Sequence, residues 1–372
     1  MKTTRDTTFI ELFAGAGGLL RGCADAGMRC LAAVESDHMS CETLRMNAET
    51  NPGIYPDCII EGDVRAVDWE HWHGANVDVL TGGPPCQPFS LGGKAQADQD
   101  RRDMFPAMTT AIAGLMPKAV IIENVGGLLR PRFNDYHRYI LARLAHPRMG
   151  RKPGESMADH LERLEQAEES DYSISETLVD AADYGIPQRR KRIIIIACRR
   201  DLGIPAITMP KPTHSAAALA EEQQSGAYWK RRGLADRGVL APAAGDTRLM
   251  PWVTARDALT PPADDNDTMT LLRPSRPGAS YPGHTGSDPD LPSKTIKAGV
   301  HGVPGGENML QTPQGPYPYS VRDAARIQTF PDDVKFSGSR SQAMRQVGNA
   351  VPVKLARIAA GAVVAALQAE TM

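Results

Sequence analysis

The first 200 residues alternate short apolar runs with stretches of helical periodicity. Apolar runs of the kind found in buried strands lie at residues 9–13, 30–35, 57–64, 77–86, 119–125, 174–188 and 192–200. Helical patterns lie between them, at about residues 19–26, 37–50 and 103–115. This alternation predicts a doubly wound α/β sheet with mostly parallel strands.

The pattern changes between residues 201 and 318, where 16 of the 29 prolines fall. Long helices do not survive at that proline density, so we predict a second, smaller, irregular and β-rich domain there. Helical patterns return in residues 319–372, which we therefore assign to the first domain, residues 1–200. The apolar run at residues 358–367 is too short to span a bilayer and is interpreted as a buried helix.

Composition adds little beyond an ordinary globular class. The net charge is −2, so a nucleic-acid partner would require basic residues gathered on one face. The six cysteines show no C-x-x-C spacing, which argues against a zinc ribbon, and no metal site is expected. They are scattered through apolar or helical-looking stretches, which argues against a disulfide framework. The N-terminus lacks a signal-peptide pattern, and a cytoplasmic location is expected.

Polar motifs follow the predicted strands at the edge where ligands bind in such sheets. A glycine turn, AGAGG, follows the first run, Glu35 ends the second, and Asp63 ends the third. Glycines allow the backbone to approach a ligand closely, and acids at these positions can bind ribose hydroxyls and an adenine amino group. Together they favour an adenosine-bearing cofactor, whereas the glycines alone would fit a structural turn equally well.

The stretch GGPPCQPFS (82–90) holds one cysteine, Cys86, between prolines. Proline restricts its own backbone and that of the preceding residue, so the thiol would be held in one position, as a nucleophile requires. The alternative is a buried cysteine acting as a small apolar side chain.

Two further motifs carry charge beside apolar strands. Glu123, in ENV, follows a buried run and is either a general acid or one half of an ion pair with an arginine. QRRKR (188–192) leads into the last strand, so alternation predicts Gln188, Arg190 and Arg192 on one face, toward the site. Arg189 and Lys191 would face solvent or phosphate.

These motifs resemble those of the DNA (cytosine-5) methyltransferases in order and spacing. The matching blocks are FAGAGG, GD, GGPPCQPFS, ENV and QRRKR, then RDAARIQTFPD (322–332) and RQVGNAVP (345–352). The resemblance implies a Rossmann-like methyltransferase sheet, with residues 201–318 as the target-recognition domain. It implies S-adenosylmethionine as cofactor and double-stranded DNA as partner.

The resemblance also implies roles for individual residues. The catalytic group would comprise Cys86 as nucleophile, Glu123 as acid, and Arg190 and Arg192 to position base and carboxylate. The cofactor would contact Phe13, Gly15, Gly17, Glu35, Asp63, Met104, Asn349 and Val351. DNA would contact Gln87, Ser90, Lys94, Arg101, Arg102, Lys294, Thr295 and Lys297, with residues 87–102 forming a lid. Lesser candidates are WKRR (229–232), His284 and His301.

Three other functions remain as alternatives at this point. One is tRNA cytosine-5 methylation, although residues 201–318 lack the Cys-Phe-Thr signature usual in that type. Another is a catalytically silent DNA-binding relative, and a third is a nicotinamide oxidoreductase suggested by the glycine turn alone. The G-x-G-G spacing and the Cys86 motif disfavour the last. Under the favoured function, DNA cytosine-5 methylation, we expect the protein to act as a monomer on DNA. It would work either alone or functionally paired with a restriction endonuclease.

Overall fold

The structure, a computed structural model, describes residues 6–72, 74–85, 103–260, 286–298, 308–313 and 315–370. The strands are β1 Thr8–Leu12, β2 Arg29–Glu35, β3 Ile59–Glu61, β4 Val79–Gly82, β5 Ala119–Val125, β6 Tyr172–Asp180, β7 Lys191–Arg199, β8 His214–Ser215, β9 Met250–Pro251, β10 Met309–Thr312 and β11 Gly315–Pro318. The helices are α1 Gly18–Asp25, α2 His38–Thr50, α3 Phe105–Leu115, α4 Asn134–Ala145, α5 Met157–Glu165, α6 Ala216–Gln224, α7 Ala227–Arg232, α8 Ala255–Ala258, α9 Val321–Ile327, α10 Arg340–Asn349 and α11 Val353–Glu370.

A seven-stranded sheet with the order β3-β2-β1-β4-β5-β7-β6 forms the centre of the fold. The strands from β3 to β5 pair in parallel, and β5 pairs with β7 in an antiparallel register. The mostly parallel α/β sheet expected from the alternating pattern is therefore confirmed. Its parallel strands all end at one edge, which brings the polar motifs that follow them to that edge.

The central strands are apolar because both faces of the sheet are covered. In β5, the residues from Ala119 to Ile122 are at most 1% exposed, and in β7 the run Ile193–Cys198 is equally enclosed. Three strands, β3, β4 and β6, are shorter than the apolar runs from which they were predicted. For example, β4 ends at Gly82, because Pro84 and Pro85 cannot donate ladder hydrogen bonds.

The chain divides into two compact units. The first comprises residues 1–178, 191–210 and 356–372, and the second comprises residues 179–190 and 211–355. The second unit therefore contains the whole irregular segment from residue 211 onward and further residues on both sides of it. The assignment of function to these domains stays a prediction.

Within the second unit, helices are short, as expected from the proline content, and β8–β9 and β10–β11 form two-stranded sheets. A buried aspartate, Asp290, joins its segments, because its carboxylate pairs with Arg237 and Arg256 and accepts a hydrogen bond from Tyr228. Tyr228 and Trp229 are buried in the apolar cluster of this unit.

The helical patterns predicted in the C-terminal segment form α9, α10 and α11, and Pro352 separates α10 from α11. In the described part of the chain, one stretch is long and apolar enough to cross a membrane. It is Arg340–Ala369, which covers α10 and nearly all of α11. Of its most apolar window, 56% is buried inside the protein, as in the core helix of a folded domain. The buried helix expected at residues 358–367 is part of α11.

Candidate active site

The glycine turn after β1 has the backbone that its sequence predicts. Gly15 and Gly17 have φ of +53° and +80°, a region open to glycine at low cost. A Cβ at Gly17 would lie 2.9 Å from Leu44 Cδ2 and 3.0 Å from Tyr55 Cε1, whereas a Cβ at Gly15 would meet nothing within 4 Å. Gly17 is thus required by packing, and Gly15 lies beside open space that a ligand can fill. Phe13, partly buried against the core, also has positive φ, at +56°.

Glu35 ends β2 and fixes the glycine turn. One carboxylate oxygen, Oε2, accepts the Gly15 N–H at 2.8 Å. The other, Oε1, accepts the N–H groups of Ser36 and Asp37 at 2.8 and 2.7 Å. Because a carboxylate has about four acceptor positions, Glu35 can hold the turn and still accept a hydroxyl.

A buried acid that we did not single out from the sequence lies behind this turn. Glu11, in β1, is 1% exposed, accepts a hydrogen bond from Thr81 Oγ1 at 3.2 Å and accepts the backbone N–H of Leu20. Leu20 is in the first turn of α1, where backbone N–H groups lack a partner within the helix. The N-cap, Gly17, has no side chain that could accept the Leu20 N–H. Burial raises the pKa of the Glu11 carboxyl well above its usual range. The sequence signal for this buried acid was its place in the middle of the apolar run FIELF (residues 9–13).

Asp63 follows β3 and caps the short turn after it. Its carboxylate accepts the Arg65 N–H at 2.9 Å and pairs with the Arg65 guanidinium. These bonds lower the pKa of Asp63 to about 2, so its carboxylate remains ionised, and its role at an adenine stays a prediction. Met104 is the N-cap of α3 and packs against the core cluster beside the sheet.

Glu123 and Arg192 form an ion pair at the end of β5. Arg192 Nε lies 2.6 Å from Glu123 Oε1, and the side chains of Arg192 and Glu123 are 14% and 10% exposed. The antiparallel register places Val125 opposite Arg192, which brings the two charged residues to adjacent strands. The structure thus joins two of the residues assigned to the catalytic group.

Asn124 connects the same strand to the proline segment. Its Nδ2 donates to the carbonyl oxygen of Pro84 at 3.1 Å, and its Oδ1 accepts the Val125 N–H at 2.8 Å. Pro84 lies two residues before Cys86, so this buried amide anchors the segment that carries the thiol. Sequence reasoning noted the motif ENV but assigned Asn124 no part.

Several residues assigned to the site lie outside the described residues. They are Cys86, Gln87, Ser90, Lys94, Arg101 and Arg102, the proposed lid 87–102, and His284 and His301. Their assigned roles stay predictions.

Arg190 is bound differently from the sequence expectation. Residues 188 and 190 are buried and residues 189 and 191 are exposed, as alternation predicts. However, the Arg190 guanidinium donates to the carbonyl oxygens of Ile296, Gly348 and Ala350 at 2.9–3.1 Å. Arg190 precedes β7, which begins only at Lys191, so it is not part of that strand. Its guanidinium instead holds the backbone of the second unit together.

Two buried glutamines extend this network. Gln188 Nε2 donates to Gln328 Oε1 at 2.7 Å, and Gln188 Oε1 accepts the Ile296 N–H at 2.9 Å. Gln328 Nε2 donates to the carbonyl oxygens of Val347 and Ala350. Three sequence motifs, QRRKR, RDAARIQTFPD and RQVGNAVP, therefore meet the backbone of Ile296 in one buried polar network within the second unit.

The remaining assigned residues also lie in the second unit. Thr295 Oγ1 donates to the Arg189 carbonyl oxygen at 2.6 Å, and the backbone N–H groups of Lys294 and Lys297 are bound by Ser287 Oγ and Asn308 Oδ1. Asn349 ends α10 with an exposed side chain, and Val351 is buried. Their roles at DNA and cofactor stay predictions. In α7, Arg231 and Arg232 pair with Glu222 and Asp257.

Known proteins resemble this chain along its whole length. Type II methyltransferase M.NgoMIV of Neisseria gonorrhoeae is 29% identical over 98% of this chain and 99% of its own. Type II methyltransferase M.PspPI of Psychrobacter sp. is 33% identical over 99% of this chain and 82% of its own.

Solved structures share the fold. A DNA modification methyltransferase encoded within an E. coli prophage superposes with a TM-score of 0.60 at 21% identity, over 98% of this chain and 100% of that one. A Spodoptera frugiperda DNMT2 variant superposes with a TM-score of 0.59 at 16% identity, over 95% and 98%. The model of the C-5 cytosine-specific DNA methylases matches residues 7–147, 149–242 and 263–365. This chain, with its paired Glu123 and Arg192 beside the anchored proline segment, therefore belongs to the C-5 cytosine-specific DNA methylase family.

Proposed function

We propose that this protein transfers a methyl group from S-adenosylmethionine to C5 of cytosine within a short, specific sequence of duplex DNA. Cys86 would add to C6 of a flipped-out base. The observation that carries the proposal is the Glu123–Arg192 pair at the end of β5, with Asn124 anchoring Pro84 beside it. An acid and a nucleophile-bearing segment thus come from adjacent strands of one sheet.

The residues of the first unit fit the cofactor. Gly15 borders open space, Glu35 can accept ribose hydroxyls, and the ionised Asp63 can accept an adenine amino group. Phe13 and Met104 would supply apolar contacts. S-adenosylmethionine, when bound, supplies a methyl group on a positively charged sulfur, which a nucleophilic carbon can take.

The protein's own residues make that carbon nucleophilic. The Cys86 thiolate uses its electron pair to form a bond with C6, and negative charge develops toward N3. Glu123 hydrogen-bonds or protonates N3 and so stabilises that charge, while Arg192 holds the Glu123 carboxyl in place. After transfer, a base removes the C5 proton, the C6–S bond breaks, and the Cys86 thiolate leaves.

The substrate must be extruded from the helix before Cys86 can reach it. C6 is inaccessible in stacked DNA, and flipping costs a few kcal/mol. Residues 87–102 would close over the flipped base, with Lys94, Arg101 and Arg102 at phosphates. Lys294, Thr295 and Lys297 of the second unit would meet the duplex, and the Arg190 network would hold their backbone in position.

The relatives' printed names support the biological setting. They are type II methyltransferases, which favours recognition of a short sequence and a functional pairing with a restriction endonuclease. We further propose that the protein acts as a monomer on cytoplasmic DNA.

The mechanism is tested by labelling. With tritiated S-adenosylmethionine and duplex DNA, label should enter DNA in the wild type and vanish in Cys86→Ser, while cofactor binding persists. A duplex carrying 5-fluorocytosine should form a covalent adduct with the wild type only. Wild-type rates in the serine variant would refute the mechanism.

Two further readouts separate the alternatives. Label appearing in tRNA and not in DNA would support the RNA substrate instead. Bisulfite sequencing of a plasmid expressing the protein would give the methylated sequence, and scattered methylation without a shared sequence would refute specific recognition.

A further inference from the structure

About half of the cationic side chains that the structure describes in the first unit pair with an acid. Arg45 pairs with Glu61, and Arg163 pairs with Glu155, as do many others on the same surface. This pairing matches the almost balanced composition of 42 basic and 44 acidic residues. The remaining cations are available to an external anion, and their position relative to the candidate site decides which of them can meet the substrate.

Three cations lie at the edge of the sheet that carries Glu123, without an acid partner in the described part of the chain. They are Arg130, Arg132 and Lys191, which we call the edge cations. Arg130 is half-buried, whereas Arg132 and Lys191 are exposed. Arg192, the neighbour of Lys191, is instead committed to Glu123.

Chain connectivity places the edge cations close to the candidate site. After β5 ends at Val125, a single turn, Gly126–Leu129, leads to Arg130, whose N–H donates to the Gly127 carbonyl oxygen at 3.3 Å. A Cβ at Gly126 would lie 4.0 Å from the carbonyl oxygen of Lys191. All three cations therefore follow or flank the strand end at which Glu123 and Arg192 meet.

One of the edge cations lies against an aromatic ring. The Arg132 guanidinium carbon lies 4.6 Å from the centre of the Phe133 ring, and Phe133 is 3% exposed. Stacking uses the flat face of the guanidinium and leaves its in-plane N–H groups for an acceptor. Those N–H groups match the paired oxygens of a phosphate.

We propose that the edge cations form a phosphate-binding surface for the backbone of the duplex that holds the target base. This inference rests on the proposed function. It adds Arg130 and Arg132, which lie outside the motifs that carry that function, and assigns Lys191 of the QRRKR motif to phosphate. The surface contributes affinity and places the duplex, and it takes no part in the chemistry. Because the contacts are to phosphates, they strengthen binding to every sequence alike.

The test is the salt dependence of duplex binding, measured by fluorescence anisotropy for the wild type and for the triple variant Arg130→Gln, Arg132→Gln, Lys191→Gln. Removal of one cation that binds a phosphate should reduce the slope of log affinity against log salt by about 1. The triple variant should thus show a slope smaller by about 3 and a raised KM for DNA. Its kcat at saturating duplex and its affinity for S-adenosylmethionine should match the wild type.

Two controls sharpen the result. Arg138→Gln removes an exposed arginine of α4 that already pairs with Glu165, so its slope should equal that of the wild type. Lysine at positions 130 and 132 keeps the charges, so the Arg130→Lys, Arg132→Lys variant should regain the slope. A triple variant with the wild-type slope, or a slope reduced equally in Arg138→Gln, would overturn the inference. A wild type that binds DNA but transfers no methyl group would instead overturn the proposed function.

Discussion

Two neighbouring residues of β5 contact different parts of the candidate site. Glu123 pairs with Arg192 of the adjacent strand, and Asn124 holds the carbonyl oxygen of Pro84. The acid was predictable because a carboxylate at the end of an apolar run is costly unless it is used. The amide was not, since its partner is a backbone atom of a segment that is distant in sequence.

Replacing Asn124 with alanine should slow the chemical step. Without its hydrogen bond, Pro84 and the segment leading to Cys86 lose their anchor, and misplacement by about 1 Å can cost about 100-fold in rate. Single-turnover methyl transfer should fall accordingly, while the Kd for S-adenosylmethionine stays unchanged. Equal losses in rate and in cofactor affinity would point to general unfolding instead.

Glu11 should make stability depend on pH. Burial raises its folded-state pKa, so the stabilising contribution is complete below the ordinary carboxyl value, about 4.3, and is lost as pH rises through the folded-state value. Glu11→Gln has the same shape and does not titrate. Its free energy of unfolding should therefore fall less than that of the wild type between about pH 5 and about pH 8.

Chemical denaturation across that pH range checks this, with Glu49→Gln, an exposed acid of α2, as the control. A pH profile equally altered in both variants would contradict the assignment to the buried group.

Among the elements, the sheet was largely readable from sequence, and the connections between motifs were not. β5 and β7 were visible as apolar runs because both of their faces are covered. The alternation rule also gave the exposed positions 189 and 191 correctly. It could not reveal that Arg190 binds the carbonyl oxygens of Ile296 and Gly348, because hydrogen bonds to backbone leave no pattern in side-chain types.

Gly348 tests how closely these elements meet. A Cβ there would lie 2.5 Å from both Ala298 N and Lys297 C, which are backbone atoms that cannot rotate away. Gly348→Ala should therefore destabilise the second unit by about 1–3 kcal/mol or more, the usual cost of overpacking. Gly361→Ala in α11 is the matched control, since its Cβ would meet nothing within 4 Å. That variant should be neutral or stabilised by up to about 1 kcal/mol. Thermal unfolding of both variants decides the matter, and similar melting temperatures would contradict the close approach.

At the scale of the whole molecule, the local proline content and the compact units divide the chain at different residues. Proline content marks residues 201–318, yet residues 179–190 and 319–355 also belong to the second compact unit. The reason is the buried network, in which Gln188 and Gln328 each bind groups far away in sequence. Amino-acid composition indicates the local secondary-structure preference of a segment. It does not indicate which distant residues that segment will hydrogen-bond.

Two excisions distinguish these divisions. Replacing residues 201–318 with a short linker removes Ile296 and deprives Gln188 and Arg190 of hydrogen bonds to it, at about 1–3 kcal/mol for each buried group. We expect this chain to lose cooperative unfolding. Linkers that replace 179–190 and 211–355 instead keep the first unit whole, and that chain should unfold cooperatively. Circular dichroism during denaturation measures the cooperativity of unfolding of both shortened chains. If the chain without residues 201–318 unfolded cooperatively and the other did not, the division by proline content would be favoured.

The Arg190 and Gln188 bonds to Ile296 have a consequence for how specificity can change. Their partners in the segment 293–298 are main-chain atoms, which every amino acid possesses. The side chains of Lys294 and Lys297 can therefore be exchanged over generations while these anchors persist. If the proposed contacts with DNA are made by these side chains, a surface held in this way is evolvable, because new target sequences become accessible by substitution without refolding of the backbone beneath.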